Sequence, residues 1–351
     1  MSRDAARALG GLLAGAWRAT PGAALPALAP ARLEELAPLL HRSGTSPLAW
    51  RRVAGGPLAE LPVGQLLRRD YLAQAAAAAL HERAIVQVVG ALRAAGVEPL
   101  LSKGWAVARH YAEPGLRPAA DVDLFVAPGE LAAAEAVLAA PELGDARVDL
   151  HAGLPDLPDR AFGEIVARAE LVPLAGVLVR VPAPDDLLRH VCLHLLRHAA
   201  WRPLWFCDVG ALVEAEGARL DWDRLRHGSA LHSGWVAQVI GLAGTLVGAD
   251  LSRVPWEPAR VPPWLEAAVL DHWMRGDAHL YDGVPLAHHL RHPGRFWSAL
   301  ARRWPSPLQA SVDRGAPFDD AWRFPLQLAD WLLRAARSLW RLPRTLLYIE
   351  G

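Results

Sequence analysis

The chain reads as an α+β protein: a small sheet with packed helices, set between an N-terminal helical segment and a C-terminal helical domain. Three observations predict this. Short apolar runs with strand-like alternation alternate with helical stretches only between residues 91 and 182. Ala/Leu-rich helical sequence precedes them over 1–90, and Trp/Pro-rich helical sequence follows over 183–351.

In the first stretch, Pro21, Pro26, Pro30 and Gly55-Gly56-Pro57 separate helices. The clearest helix runs from Tyr71 to Leu92 through the alanine run Ala75–Ala79, with Gly96 as its stop. The middle stretch predicts strands at 97–102, 121–126, 146–151 and 177–181, with helices at 104–112 and 129–140. After Pro182-Ala183-Pro184 a helix runs to His198, with Asp185 or Asp186 as its cap. His190, His194 and His198 share one face of it. No thiolate or acid pattern completes a zinc set around them, so a structural role is expected.

Beyond Gly228 the chain stays helical and spends its tryptophans freely, at Trp256, Trp264, Trp273, Trp297 and Trp304. The tail from Phe318 to Tyr348 combines Trp322, Trp331 and Trp340 with Arg323, Arg334, Arg337, Arg341 and Arg344. Such a helix can contact RNA or lie on a membrane, but capping a bundle with snorkelling arginines is the plainer expectation.

A length of 351 residues and 52% hydrophobic content suffice for real cores. The formal net charge is zero, so no global basic field favours nucleic acid. Two cysteines, Cys192 and Cys207, make no disulfide framework and suit a reducing compartment. The N-terminus is a poor signal peptide, and no stretch of eighteen uncharged apolar residues is expected to span a membrane. A cytoplasmic protein is expected.

The chemistry concentrates between Val97 and His151. Asp121 and Asp123, two apart on a strand, point the same way, and two adjacent carboxylates call for a hard divalent cation. Asp149 and His151 repeat that spacing on the next strand, making Asp149 a third candidate ligand. Of 37 basic residues one is lysine, Lys103, in the strand-to-helix turn Ser102-Lys103-Gly104 where backbone N–H groups favour phosphate.

Lys103-Gly104, Tyr111, Gly115-Leu116-Arg117-Pro118 and Asp121-Val122-Asp123-Leu124-Phe125-Val126 resemble the core of the uncharacterised nucleotidyltransferase family, a branch of the DNA polymerase β-like superfamily. Lys-Gly stands where that superfamily usually has Gly-Ser. The similarity continues through Asp149-Leu150-His151 and Cys192-Leu193-His194, His198, Trp205 and Asp208 to about Leu225. It implies a polymerase β-like sheet, an NTP substrate, Mg2+ or Mn2+, and transfer of a nucleoside monophosphate to a hydroxyl acceptor that the sequence does not identify. Asp121, Asp123 and Asp149 would be the catalytic metal ligands. Ser102, Lys103 and Gly104 would hold phosphate. Arg117 would steady the triphosphate or leaving pyrophosphate, or instead pair with the acids it precedes. His151 would touch substrate, support a ligand or be a satisfied polar group. A His194–Asp208 contact would brace two helices.

Two rivals bear on the same residues. A glycosyltransferase also uses Asp-x-Asp, but normally after several strand–helix units. A nucleotide-binding or assembly partner with a degenerate nucleotidyltransferase fold would keep the architecture without turnover.

Overall fold

The computed structural model describes residues 2–21, 28–144, 146–257, 259–276 and 303–346, with side chains as far as residue 336. Trp297 and Tyr348, and the side chains of Arg337, Trp340, Arg341 and Arg344, lie outside that description.

The chain opens with helices α1 (Arg3–Leu13), α2 (Pro30–Ser43), α3 (Ser46–Val53) and α4 (Pro62–Ala94). The sheet region follows as β1 (Leu100–Leu101), α5 (Gly104–Ala108), β2 (Val122–Val126), α6 (Leu131–Leu138), β3 (Val148–Ala152), α7 (Phe162–Arg168), β4 (Glu170–Leu174) and β5 (Val177–Val181). Then come α8 (Pro184–Arg197), α9 (Pro203–Glu216), α10 (Trp222–Arg226), α11 (Ala230–Val247) and α12 (Pro263–Arg275), and finally helices Pro307–Asp313 and Phe324–Leu346. The α+β class is as the sequence predicts.

The five strands lie in the order β3-β2-β1-β5-β4. β2 runs antiparallel to β1 and parallel to β3, in a register that sets Asp123 opposite Asp149 and Phe125 opposite His151. Residues two apart share a face, so both carboxylates and both rings stand on one side of the sheet. Every residue of β2 is buried.

Several boundaries depart from expectation for local reasons. β1 is two residues long because Pro99 offers no N–H to extend the ladder. α5 is a single turn and not a helix over 104–112. β4 was not anticipated; it is an edge strand containing Pro173, tolerated there, and joins β5 through Ala175-Gly176, both at positive φ. Asp185 and Asp186 do not cap α8: Ala183 holds that position, and both acids are buried among arginines. Asp186 bonds Arg160, and Asp185 pairs with Arg168 at 2.6 Å, which ties α8 to α7 and the loop before it.

One continuous core runs from α1 to Phe318. α1 packs on α11 and α12, so the first helix closes against late ones. Among the described residues two helices, α4 and α11, are long and apolar enough to cross a membrane by length and composition. This corrects the expectation from the sequence, since α11 carries eighteen residues without an Asp, Glu, Lys or Arg, dotted with His, Ser, Gln and Thr. Half of its apolar stretch is buried inside the protein, as suits a core helix apolar on most of its circumference. In the tail, Trp331 packs on Trp304, Arg323 lies 4.9 Å over the Trp264 ring, and Arg334 pairs with Asp313 and Asp330.

The loop 113–119 is seated on α4 at its alanine run. Gly115 has φ +85°, and a Cβ there would lie 2.5 Å from Ala75 Cα. Neither the conformation nor the space admits a side chain. Gly115→Ala is therefore expected to destabilise the fold by about 1–3 kcal/mol. Differential scanning calorimetry tests this, and an unchanged melting temperature would refute it.

Candidate metal and nucleotide site

The site forms where β1 ends and β2 and β3 begin. Asp121 is exposed just before β2, Asp123 is buried within it, and Asp149 is half-buried on β3; one carboxylate oxygen from each lies within 4.8 Å of the others. An all-oxygen donor set of three carboxylates suits a hard divalent ion such as Mg2+ or Mn2+, and the residues present fit one. Among the described residues this is the group able to hold a metal.

Lys103 faces the same cluster. Its Nζ lies 2.6 Å from Asp123 Oδ1 and 5.5 Å from the centre of the Phe125 ring. Burial pushes the Asp123 carboxyl above its ordinary pKa, and the Lys103 charge offsets part of that rise. The turn is strained: Lys103 has φ 53° and ψ −137°, followed by Gly104 at φ +25°. A Cβ on Gly104 would lie 3.4 Å from Asp123 Oδ2, an ordinary contact, so the positive φ and not the space favours glycine here. With α5 only five residues long, the positive potential at this turn comes from the ammonium and nearby N–H groups more than from a helix dipole.

Ser102 lies beneath the turn. Its hydroxyl is fully buried and 2.8 Å from His190 Nδ1. His190 Nε2 stands 3.5 Å from Asp156 Oδ2, and His194 Nδ1 donates to the same oxygen at 3.0 Å. With Nε2 turned to the carboxylate, His190 Nδ1 accepts from the Ser102 hydroxyl. Arg197 donates to the other Asp156 oxygen at 2.8 Å. Burial works to raise the Asp156 pKa, but the bonds from His190 and His194 outweigh it and hold the acid well below the usual range. Sequence reasoning passed over Asp156. It sits in a proline-flanked loop, 34 residues before His190 in the chain, and nothing in its neighbours announces the contact.

Arg117 is placed differently from either expectation. Its Nε and Nη2 each reach an Asp208 oxygen at 2.9 Å, and the Tyr111 hydroxyl donates to the same carboxylate at 2.7 Å. This buried fork anchors the loop before β2 to α9. The expected His194–Asp208 brace is absent for the same reason: Asp208 is taken by Arg117 and Tyr111, and His194 by Asp156. His151 Nε2 lies 2.9 Å from Asp149 Oδ2, and its ring stacks on Phe125 at 5.1 Å. Between α4 and α5 a cavity of about 170 Å3 is walled in part by His81, Glu82, Trp105 and Arg117.

Carboxylates gathered on one face of a small mixed sheet, next to a cationic turn, form a group able to hold a divalent cation. The chain belongs to the uncharacterised nucleotidyltransferase family, whose model matches residues 29–144 and 141–233, more than half of its length. No curated protein and no solved structure matches it.

Burial, ahead of any charge, lowers the His194 pKa to about 3, against ~6.5 for a free histidine. The folded protein keeps this ring neutral while the unfolded chain takes up a proton. Stability from it is complete above about pH 6.5 and is lost as pH falls towards 3, by at most roughly 1.4 kcal/mol per pH unit. His194→Gln should flatten the melting-temperature profile between about pH 6.5 and 4. A variant profile parallel to wild type would sink this assignment.

Proposed function

We propose that this protein transfers a nucleoside monophosphate from an NTP to a hydroxyl acceptor, with a divalent cation held by Asp121, Asp123 and Asp149. The observation that carries the reading is the convergence of those three carboxylates beside Lys103. In the reaction the acceptor oxygen bonds to the α-phosphorus, the bond from that phosphorus to the bridging oxygen breaks, and pyrophosphate leaves. A bound divalent cation supplies charge neutralisation and lowers the pKa of the attacking hydroxyl.

The remaining work falls to side chains. Lys103 exchanges its contact with Asp123 for phosphate oxygens, so its charge follows the negative charge of the leaving group. Asp149, nearly half exposed at the mouth of the site, accepts the acceptor proton. The Ser102–His190–Asp156 chain holds the turn that carries Lys103, and the Arg117–Asp208 fork fixes the loop that delivers Asp121. Arg117 acts through position, while its partner neutralises its charge.

A second reading, a nucleotide-binding protein without turnover, draws on the same 2.6 Å Lys103–Asp123 contact. An ammonium seated on that carboxylate competes with a cation for it. Calorimetry with Mg-ATP tests the metal assignment that both readings share. Asp121→Asn combined with Asp123→Asn should cost at least about ten-fold in affinity while the variant stays folded. Equal affinity in both proteins overturns the metal assignment. Transfer of label from α-labelled NTPs to acceptors in cell extract separates enzyme from binder.

Lys103 gives a sharper test. Lys103→Arg is expected to weaken Mg-ATP binding nearly as much as Lys103→Ala, because a planar fork does not replace a point charge in a strained turn. Full retention by the arginine variant would show Lys103 to be an ordinary cation.

A further inference from the structure

The face that carries the carboxylates does not end at β3. From Asp149 a file of rings leads away from the cluster. His151 stacks on Phe125 at 5.1 Å, Phe125 meets His190 edge-on at 5.4 Å, and His190 meets His194 at 6.3 Å. His194 then contacts His198 at 4.5 Å and Trp205 at 5.5 Å, and Trp205 meets Trp201 at 5.7 Å. The file starts at the half-buried His151, passes through Phe125 and His190 in the core, and comes out again at His194, His198, Trp201 and Trp205, all half-buried. Beyond the effect of burial, the Lys103 charge depresses the pKa of both His194 and His198, so this end of the file lies within electrostatic reach of the lysine.

The backbone that presents these rings is strained. Ala199 and Ala200, between α8 and α9, both have φ 54°. Consecutive alanines in the left-handed region are costly and persist only when their surroundings impose them. Here the end of α8 and α12 do so together: the Ala199 and Ala200 N–H groups donate to the Leu196 and Leu195 carbonyls at 2.8 Å, while His272 Nδ1 donates to the Ala199 carbonyl at 2.5 Å and Trp273 Nε1 to the Ala200 carbonyl at 3.1 Å. The turn delivers Trp201 directly and starts α9 so that Trp205 follows one turn later. Arg202, between them, donates to the Ser43 carbonyl at 2.7 Å, and the charge of Asp121 reaches it.

We infer that His198, Trp201 and Trp205 form the platform on which the nucleobase of the NTP stacks, with its phosphates at Lys103. The inference rests on the nucleotidyl-transfer reading and adds to it the recognition of the base. A nucleoside triphosphate is an extended ligand, charged at one end and flat at the other. The site matches that polarity, with an ammonium and carboxylates at one end and partly exposed aromatic faces at the other. Stacking on indole and imidazole rings discriminates weakly between bases, so the platform takes purine and pyrimidine nucleotides alike, purines more tightly.

The test compares ATP with inorganic tripolyphosphate, which has the phosphates and no base, by calorimetry on the full chain with Mg2+. Trp205→Ala should weaken ATP binding about ten-fold and shift tripolyphosphate by less than about two-fold, and Trp205→Phe should restore most of the ATP affinity. Trp201→Ala, at the outer end of the file, should show the same split and serves if Trp205→Ala does not fold. An equal loss for both ligands marks a merely structural tryptophan and overturns the platform, as does unchanged ATP affinity. Wild-type protein that binds tripolyphosphate as tightly as ATP overturns the platform alone. If it binds neither, the nucleotidyl-transfer reading falls and the platform with it.

Discussion

A carboxylate on a fully buried strand has to be matched by positive charge, and Asp123 shows how much of this molecule follows from that. Desolvation of one unpaired ion costs several kcal/mol, more than most packing contacts return. In the described structure Lys103 meets the demand at 2.6 Å, but a lysine brought there must come from somewhere. It comes from a strained turn, and the strain is held from below by the Ser102 hydroxyl on His190. His190 in turn needs Asp156, and Asp156 is kept ionised by His194 and Arg197 as well. One buried charge thus recruits a chain of polar groups reaching from the sheet to the surface of α8.

The same rule is applied at the other buried acids. Asp208 is closed by Arg117 and Tyr111, and Asp185 and Asp186 by arginines from α7, the loop before it and α10. Those pairs are planar forks with bidentate or shared contacts, the geometry in which arginine excels. Asp123 alone receives a lysine. An ammonium with three rotatable donors can leave a carboxylate for a phosphate without losing a fixed two-pronged geometry, which a guanidinium locked onto both oxygens cannot do. The single lysine in the chain therefore stands at the one of these acids whose partner is free to let go, and the arginines stand where the pairing is locked.

What the sequence made legible was local. Asp121, Asp123 and Asp149 could be placed on one face because strand alternation is a two-residue rule that needs no tertiary knowledge. Lys103 stood out by composition, and the α+β class followed from where strand-like runs occur. What stayed hidden depends on contacts distant in the chain. Arg117 precedes the acids by four residues, yet it reaches Asp208, 91 residues away. His194 was paired with the wrong aspartate because its actual partner, Asp156, sits in a loop whose sequence gives no sign of the contact. β4 was missed because an edge strand may carry a proline and expose alternate residues, which erases the signal read from central strands.

The strained turn at Ala199-Ala200 extends the argument from charge to shape. Alanine has no side-chain reason to adopt φ near 54°; the turn is held by the helix-ending bonds of the Ala199 and Ala200 N–H groups to the Leu196 and Leu195 carbonyls and by two donors from α12 that fix both alanine carbonyls. α12 is itself anchored by α1, through Arg3 to Asp271 at 2.8 Å and through the packing of the two helices. The first helix of the chain thus braces a late one, and that helix sets the turn from which Trp201 and Trp205 project. In the proposed nucleotide site the N-terminal helices would thus act from behind the platform without contributing a ligand. Their work is to hold the aromatic end of the file still, as the Ser102–His190–Asp156 chain holds its charged end.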